Sequence, residues 1–201
     1  MSDSKQPSTK TNLHRPFVFW FSFYKQSLNR KKKEGFKYEE NINKICSFST
    51  IEDFWAFYQH MIRPEQLPIG CDFFLFQESI KPMWEDEANK AGGRFILKVK
   101  KQYGNKFWED LILAFIGEQY DGNEMICGLN ASVKEKEVIL SVWLKKMEEN
   151  DERREEIKKS LRKILGLSEK VEIEYREHPT EKQIHVGGIT GSHMNVVKKM
   201  E

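Results

Sequence analysis

The chain has 201 residues, of which 39% are hydrophobic and 32% charged, enough for one domain with a sizeable core. A formal charge of +2, from 33 basic and 31 acidic residues, excludes the large cationic surplus of proteins that grip long nucleic acid and leaves room for a small anionic ligand. Cys46, Cys71 and Cys127 are odd in number and widely spaced, which argues against a disulfide framework or a zinc site, while the lack of a transmembrane-length apolar run or signal-peptide core predicts a soluble protein of a reducing compartment, cytoplasmic or nuclear, with no membrane partner.

MSDSKQPSTKTN is polar, and residues 1–15 read as a disordered tail before a single domain over 16–201. RPFVFWFSFYK alternates as a strand, with Phe17, Phe19, Phe21 and Phe23 on one face and Val18, Trp20, Ser22 and Tyr24 on the other. The basic loop RKKKEG follows, then FKYEENINKICSF as a second extended segment with Tyr38 near its start. STIEDFWAFYQHM predicts a helix: Ser49 as cap with Glu52 three residues on makes a capping box. At 100° per residue, Phe54, Phe57, Tyr58 and Met61 form its apolar arc, with Ile51 and Trp55 at the edge.

CDFFLFQ is a short strand, followed by the polar loop KPMWEDEANK, and AGGRFILKVKKQ is a strand with Phe95, Leu97 and Val99 on one face. Residues 105–117 read as a second helix whose inner face takes Phe107, Trp108, Leu111, Ile112 and Phe115. Leu113 falls on the opposite side, exposed between the directions of Glu109 and Asp110. NEMICGLNASV and EVILSVWLK pair as a hairpin through residues 134–137, with Trp143 on the face opposite Val142 and Leu144. A third helix over 148–165 carries Ile157, Leu161, Ile164 and Leu165 at helical spacing, and Gly166 terminates it. VEIEYRE is a further strand, HPTEKQIHVGGITGSH a long loop, and MNVVKK a short last strand. The expected fold is α+β: a single antiparallel sheet of about eight strands with three helices on one face.

Catalytic signatures are missing. No GxGxxG, GK[ST] loop, GxSxG, HExxH or DFG-like set occurs, and the five histidines share no ligand spacing. No enzyme activity, metal or cofactor is expected. Taken singly, Tyr38 reads as a strand-edge aromatic and Trp143 as core, while Glu85 and Lys134 read as solvated charges. Trp84 reads equally well as the cover of a local core or as an exposed ring.

Read together, FSTIEDFWAFYQH, GCDFFLFQESIKPMWEDEANKAGGRF, FWEDLILAFIGEQYD, ICGLNASV and SVW, in this order and spacing, resemble the cap-binding translation initiation factor 4E family over about residues 16–177. The resemblance implies a cupped sheet backed by three helices on its convex side, capped messenger RNA on the concave side, and protein partners on the helices. Those partners are 4E-binding proteins or the initiation scaffold with Tyr-xxxx-Leu motifs; without them a monomer is expected. It implies Tyr38 and Trp84 as the rings that stack on 7-methylguanine, Glu85 as the reader of guanine, and Trp143 near the N7-methyl group. Lys134, Lys136 and Arg94 would bind phosphate, and Ile51, Trp55 and Leu113 would bind partners.

Four positions depart from the family pattern. Tyr38 replaces a tryptophan, Ile139 a basic residue and Glu109 a leucine, and LHRPFVFW lacks the usual His-Pro-Leu. The first two resemble the 4E-homologous, type 2 subclass, which implies regulation of translation. The alternatives are a general initiation factor that recruits the scaffold, or a partner-binding module whose cap pocket is weak or lost.

Methylation at N7 makes guanine cationic, so electron-rich ring faces attract it. A tyrosine in place of tryptophan weakens the stack by about 1 kcal/mol, or roughly fivefold. A carboxylate accepts from guanine N1 and the exocyclic amine, a donor pair adenine lacks. Cations on the phosphates add affinity but no base reading.

Overall fold

In a computed structural model, residues 10–23, 41–147 and 152–179 are described. Among them are seven strands: β1 (Asn12–Phe23), β2 (Ile42–Thr50), β3 (Cys71–Gln77), β4 (Gly93–Lys100), β5 (Ile126–Val133), β6 (Glu137–Leu144) and β7 (Glu174–Glu177). They form one antiparallel sheet in the order β2-β1-β3-β5-β6-β4-β7. The helices are α1 (Ile51–Tyr58), α2 (Gly104–Ile116) and α3 (Glu152–Ile164). The fold class matches the expectation; the eighth expected strand, MNVVKK, lies outside the described residues, as does Tyr38.

Strand alternation divides the sheet into two unlike faces. One face sends Phe17, Phe19, Phe73, Leu75, Leu97, Leu129, Val138, Leu140 and Val142 into the main core, where they meet Phe54 and Tyr58 of α1, Trp108, Leu111, Ile112 and Phe115 of α2, and Ile157 and Leu161 of α3. The other face carries a smaller buried cluster of Phe74, Phe76, Ile80, Cys127 and Trp143, with Trp20, Trp84 and Ala88 packed against it. All three helices therefore serve one side, and the other keeps its own aromatic floor.

The 134–137 hairpin forms as read, closed by Lys134 N–H donating to the Glu137 carbonyl at 2.9 Å. Gly166 ends the third helix segment with φ of 60°. Register shifts interrupt the β1–β2 and β5–β6 ladders, and such bulges bend the strands that carry them.

Several details differ from the sequence reading. The cap of α1 is Thr50, not Ser49: its hydroxyl accepts from Asp53 N–H at 3.1 Å and donates to the Asp53 carboxylate at 2.8 Å. Strand β2 runs through Thr50, so Ser49 is still sheet backbone. Phe57 is 41% exposed because α1 lasts only eight residues and tucks Phe54 and Tyr58, not Phe57, against β2. Leu113 is half-buried and packs on the main core rather than standing free.

Strand β1 starts at Asn12, inside the stretch read as tail. Its approach is fixed by Ile51 N–H donating to Thr11 C=O at 2.9 Å, Thr11 N–H donating to the Glu52 carboxylate at 2.8 Å, and a Lys10–Asp53 ion pair at 2.6 Å.

Candidate functional site

The site candidates gather on the face without helices. Cross-strand register sets Phe76 beside Gly128, Gly128 beside Trp143, and Trp143 beside Arg94. A Cβ at Gly128 would collide with the Phe76 ring, so glycine is what lets that ring lie edge-on to Trp143, with centroids 5.5 Å apart and planes at 73°. The next row sets Trp20 beside Phe74 and Phe74 beside Asn130, and the row after sets Asp72 beside Ser132 and Ser132 beside Ile139.

Trp84 sits in the loop between β3 and β4, half-buried, with its indole against the edge of this cluster. Glu85 follows it in the exposed part of the loop. The loop is held by its own polar side chains. Asp86 accepts from Lys81 N–H at 2.9 Å and from Ala88 N–H at 3.0 Å, closing a turn on the indole's flank. Asn89, fully buried, donates to the carbonyls of Lys81 at 2.9 Å and Met83 at 2.7 Å. Cys127 donates to the Ala88 carbonyl at 3.5 Å, and burial pushes its thiol up to about 12, so it stays neutral. The acidic run after Trp84 thus has divided duties: Asp86 builds the loop, while Glu87, exposed, only approaches Lys90 at 3.8 Å.

Trp143 lies deeper, 4% exposed. His178 covers it, with ring centroids 4.4 Å apart, and Arg94 stands over it at 5.7 Å. His178 is anchored by its backbone N–H, which donates to Gly92 C=O at 2.9 Å. Burial, with the Arg94 charge acting in the same sense, lowers its imidazole to about 4. Among the described residues, Trp20 Nε1, Trp143 Nε1 and His178 Nε2 are buried with no hydrogen-bond partner.

Lys134 directly follows β5, on the same face by strand parity. Burial lowers its ammonium from the ordinary lysine value, Asp72 and Glu137 pull it back up, and Arg94 lowers it again. The buried Asp72 carboxylate beneath accepts from the hydroxyls of Ser132 and, at 3.5 Å, Ser22. Lys134 and Arg94 are therefore close enough to repel, an arrangement that an anion between them relieves. Lys136 stands exposed at the hairpin tip, its carbonyl accepting from Lys101 N–H at 3.2 Å.

Ile51 and Trp55 lie on the helix side, one turn apart on α1 and 41% and 43% exposed. Trp55 meets Phe54 and Tyr58 edge to face at 4.9 and 6.1 Å. Arg63 joins α1 to α2: its guanidinium lies 3.8 Å over the Tyr58 ring and 3.8 Å from the carboxylate of Glu109, which precedes Leu113 by four residues on α2.

Sequence reasoning thus gathers Trp84, Glu85, Trp143, Arg94 and Lys134 on one face, and Ile51 and Trp55 on the other. It misses His178, Asp72 and Asn89. The lone carboxylate in CDFFLFQ, sharing strand parity with Phe74 and Phe76, was a usable signal for Asp72; nothing local marks His178.

The family described as Eukaryotic initiation factor 4E matches residues 12–188. The translation initiation factor NCBP of Oryza sativa subsp. japonica is 39% identical over 166 residues, covering 83% of this chain and 70% of its own. The Ascaris suum eIF4E-3 structure with the m2,2,7G cap superposes with a TM-score of 0.76 at 31% identity, covering 93% of this chain and 96% of that one. The C. elegans eIF4E-3 complex with the 4E-binding protein Mextli and cap analog gives 0.74 at 30%, covering 84% and 92%.

Proposed function

The chain belongs to the eukaryotic initiation factor 4E family, and we propose that it binds the 7-methylguanosine cap of messenger RNA in translation initiation, as a non-enzymatic and regulatory member. The observation that carries this reading is the half-buried indole of Trp84 beside the exposed Glu85, on the same side of the sheet as the cations Arg94 and Lys134. Trp84 supplies one stacking face and Tyr38 the other. Glu85 accepts from guanine N1 and the exocyclic amine, and Lys134 and Arg94 meet the phosphates with help from Lys136. Trp143, nearly covered, offers the N7-methyl group an edge rather than an open face.

Relatives complexed with a cap and with a 4E-binding protein support the same two classes of partner here. A partner helix with a Tyr-xxxx-Leu motif docks on Ile51, Trp55 and Leu113 of a monomeric, cytoplasmic or nuclear protein. Tyr38, Ile139 and the Arg63–Glu109 pair favour a regulatory role over general initiation.

Titration of tryptophan fluorescence with 7-methyl-GTP and with GTP tests the reading. Tighter binding of the methylated nucleotide is expected; equal affinities reject cap selectivity. A pull-down that retains the initiation scaffold more strongly than other Tyr-xxxx-Leu partners rejects the regulatory assignment.

A further inference from the structure

The phosphate side of this face has a gap on β6, where Ile139 stands two pleats before Trp143. The ladder with β4 places a cation against that gap. Lys98 is the direct cross-strand partner of Ile139, in an uninterrupted register in which Arg94 is the partner of Trp143. Side chains directly opposite in such a ladder start about 5 Å apart, and a lysine's four-carbon stem reaches across that interval. Strand parity sets Lys98 on the same side as Arg94, roughly 13 Å further along β4.

Lys98 is exposed, whereas the residues flanking it, Leu97 and Val99, are buried in the main core. An acid within its field is Glu174, whose carboxylate is held below the usual range first by its hydrogen bond to Arg176, with Lys98 and Arg94 adding to the effect. Both Glu174 oxygens are already engaged by Arg176, at 2.6 and 2.8 Å, so this acid does not neutralise Lys98. Across the gap, burial lowers the Lys134 ammonium, Asp72 and Glu137 raise it and Arg94 lowers it, while Asp72 beneath is engaged by Ser132 and Ser22. The rim around Ile139 therefore carries Lys98 from β4 and Lys134 just after β5, with Glu137, one pleat back on β6, as the acid set against Lys134.

We propose that Lys98 is a phosphate-binding residue of this face, supplying from β4 the charge that β6 lacks at Ile139. Building on the cap-binding reading, it grips the phosphates of 7-methyl-GTP that lie farther from the base than those met by Arg94. The cation is displaced by one strand, so the charge of the site is kept although the strand that carries it changes.

The test is fluorescence titration of the full chain and of the Lys98→Gln and Lys98→Gln/Ile139→Lys variants. The probes are 7-methyl-GTP, GTP and the uncharged-chain nucleoside 7-methylguanosine, each at several salt concentrations. Lys98→Gln is expected to weaken 7-methyl-GTP binding roughly three- to tenfold and to flatten its loss with salt. It is expected to leave the nucleoside and the melting temperature unchanged, and the added Ile139→Lys is expected to restore the triphosphate. Selective wild-type binding of 7-methyl-GTP with no change in Lys98→Gln overturns the role of Lys98 and leaves the cap reading intact. An equal loss for the nucleoside also overturns it, because the effect then does not run through phosphate. Equal wild-type affinities for 7-methyl-GTP and GTP overturn the cap reading, and the proposal with it.

Discussion

At the scale of single residues, Glu85 and His178 make opposite uses of charge. Glu85 is exposed, so replacing it should damage recognition more than folding. Hydrogen bonds to a charged group contribute roughly 1.5–3 kcal/mol, so Glu85→Gln is expected to weaken 7-methyl-GTP binding by about one to two powers of ten with an unchanged melting temperature. Titration beside a thermal melt checks both. A wild-type affinity in Glu85→Gln assigns guanine reading to another group.

His178 is buried neutral, at about 4 against an unfolded value of about 6.5. Above pH 6.5 neither state carries the proton, and the imidazole adds no pH dependence. As pH falls from 6.5 to 4, the unfolded chain takes up a proton that the folded one refuses, so stability falls, by about 3 kcal/mol at the lower limit. Urea titrations across that window should show a steeper loss for the wild type than for His178→Asn. Parallel curves would mean that the imidazole is protonated in place. This residue shows where the sequence stops being legible: its neighbour Trp143 is thirty-five positions away, and only the pairing of β4 with both β6 and β7 brings them together. Trp84 and Glu85 stand out in the sequence only through the family resemblance of the contiguous stretch that holds them, since singly Glu85 reads as a solvated charge and Trp84 reads either way.

At the scale of elements, alternation was easy to read and ends were not. The two-residue period of β1, β4 and β6 assigns Trp20, Arg94 and Trp143 to the face away from the helices without any knowledge of strand order, whereas β3 and β5, apolar or buried at nearly every position, show no such alternation. The start of α1 was misread by one residue, because Ser49 and Thr50 both satisfy the capping rule and only the extent of β2 decides between them. The two caps make unequal predictions. Thr50→Ala removes the acceptor for Asp53 N–H and should cost about 1 kcal/mol, whereas Ser49→Ala should cost only a few tenths. Chemical denaturation separates them, and equal losses would argue against Thr50 as the cap.

The loop between β3 and β4 behaves as a further element, because Asp86 and Asn89 tie its backbone where no ladder can. Asp86→Ala should therefore weaken 7-methyl-GTP binding through misplacement of Trp84, although Asp86 itself contacts no ligand in the proposed pocket. Asp86→Asn keeps only one of the two acceptor oxygens that meet the Lys81 and Ala88 N–H groups, so a partial restoration is expected if loop shape rather than charge is what matters.

At the scale of the whole molecule, the sheet is a partition with unequal sides. The main core holds the fold, and the smaller aromatic cluster holds the proposed ligand face. Truncating the fully buried Phe115 on the helix side should cost about 3–5 kcal/mol, a large share of a single domain's stability, and both activities should fall together. Trp84 and Trp55, half-buried and exposed, belong to opposite sides with the sheet between them, so neither supports the other's packing. Substitutions that share no partner add to within about 0.5 kcal/mol. Trp84→Ala should abolish 7-methyl-GTP binding and keep a Tyr-xxxx-Leu peptide at wild-type affinity, and Trp55→Ala should do the reverse. The double variant should lose both, with its melting temperature lowered by the sum of the two single shifts. A peptide affinity that changes more than about threefold in Trp84→Ala exceeds what additivity permits and would require the sheet itself to couple its two faces, through a shift that both ligands bias.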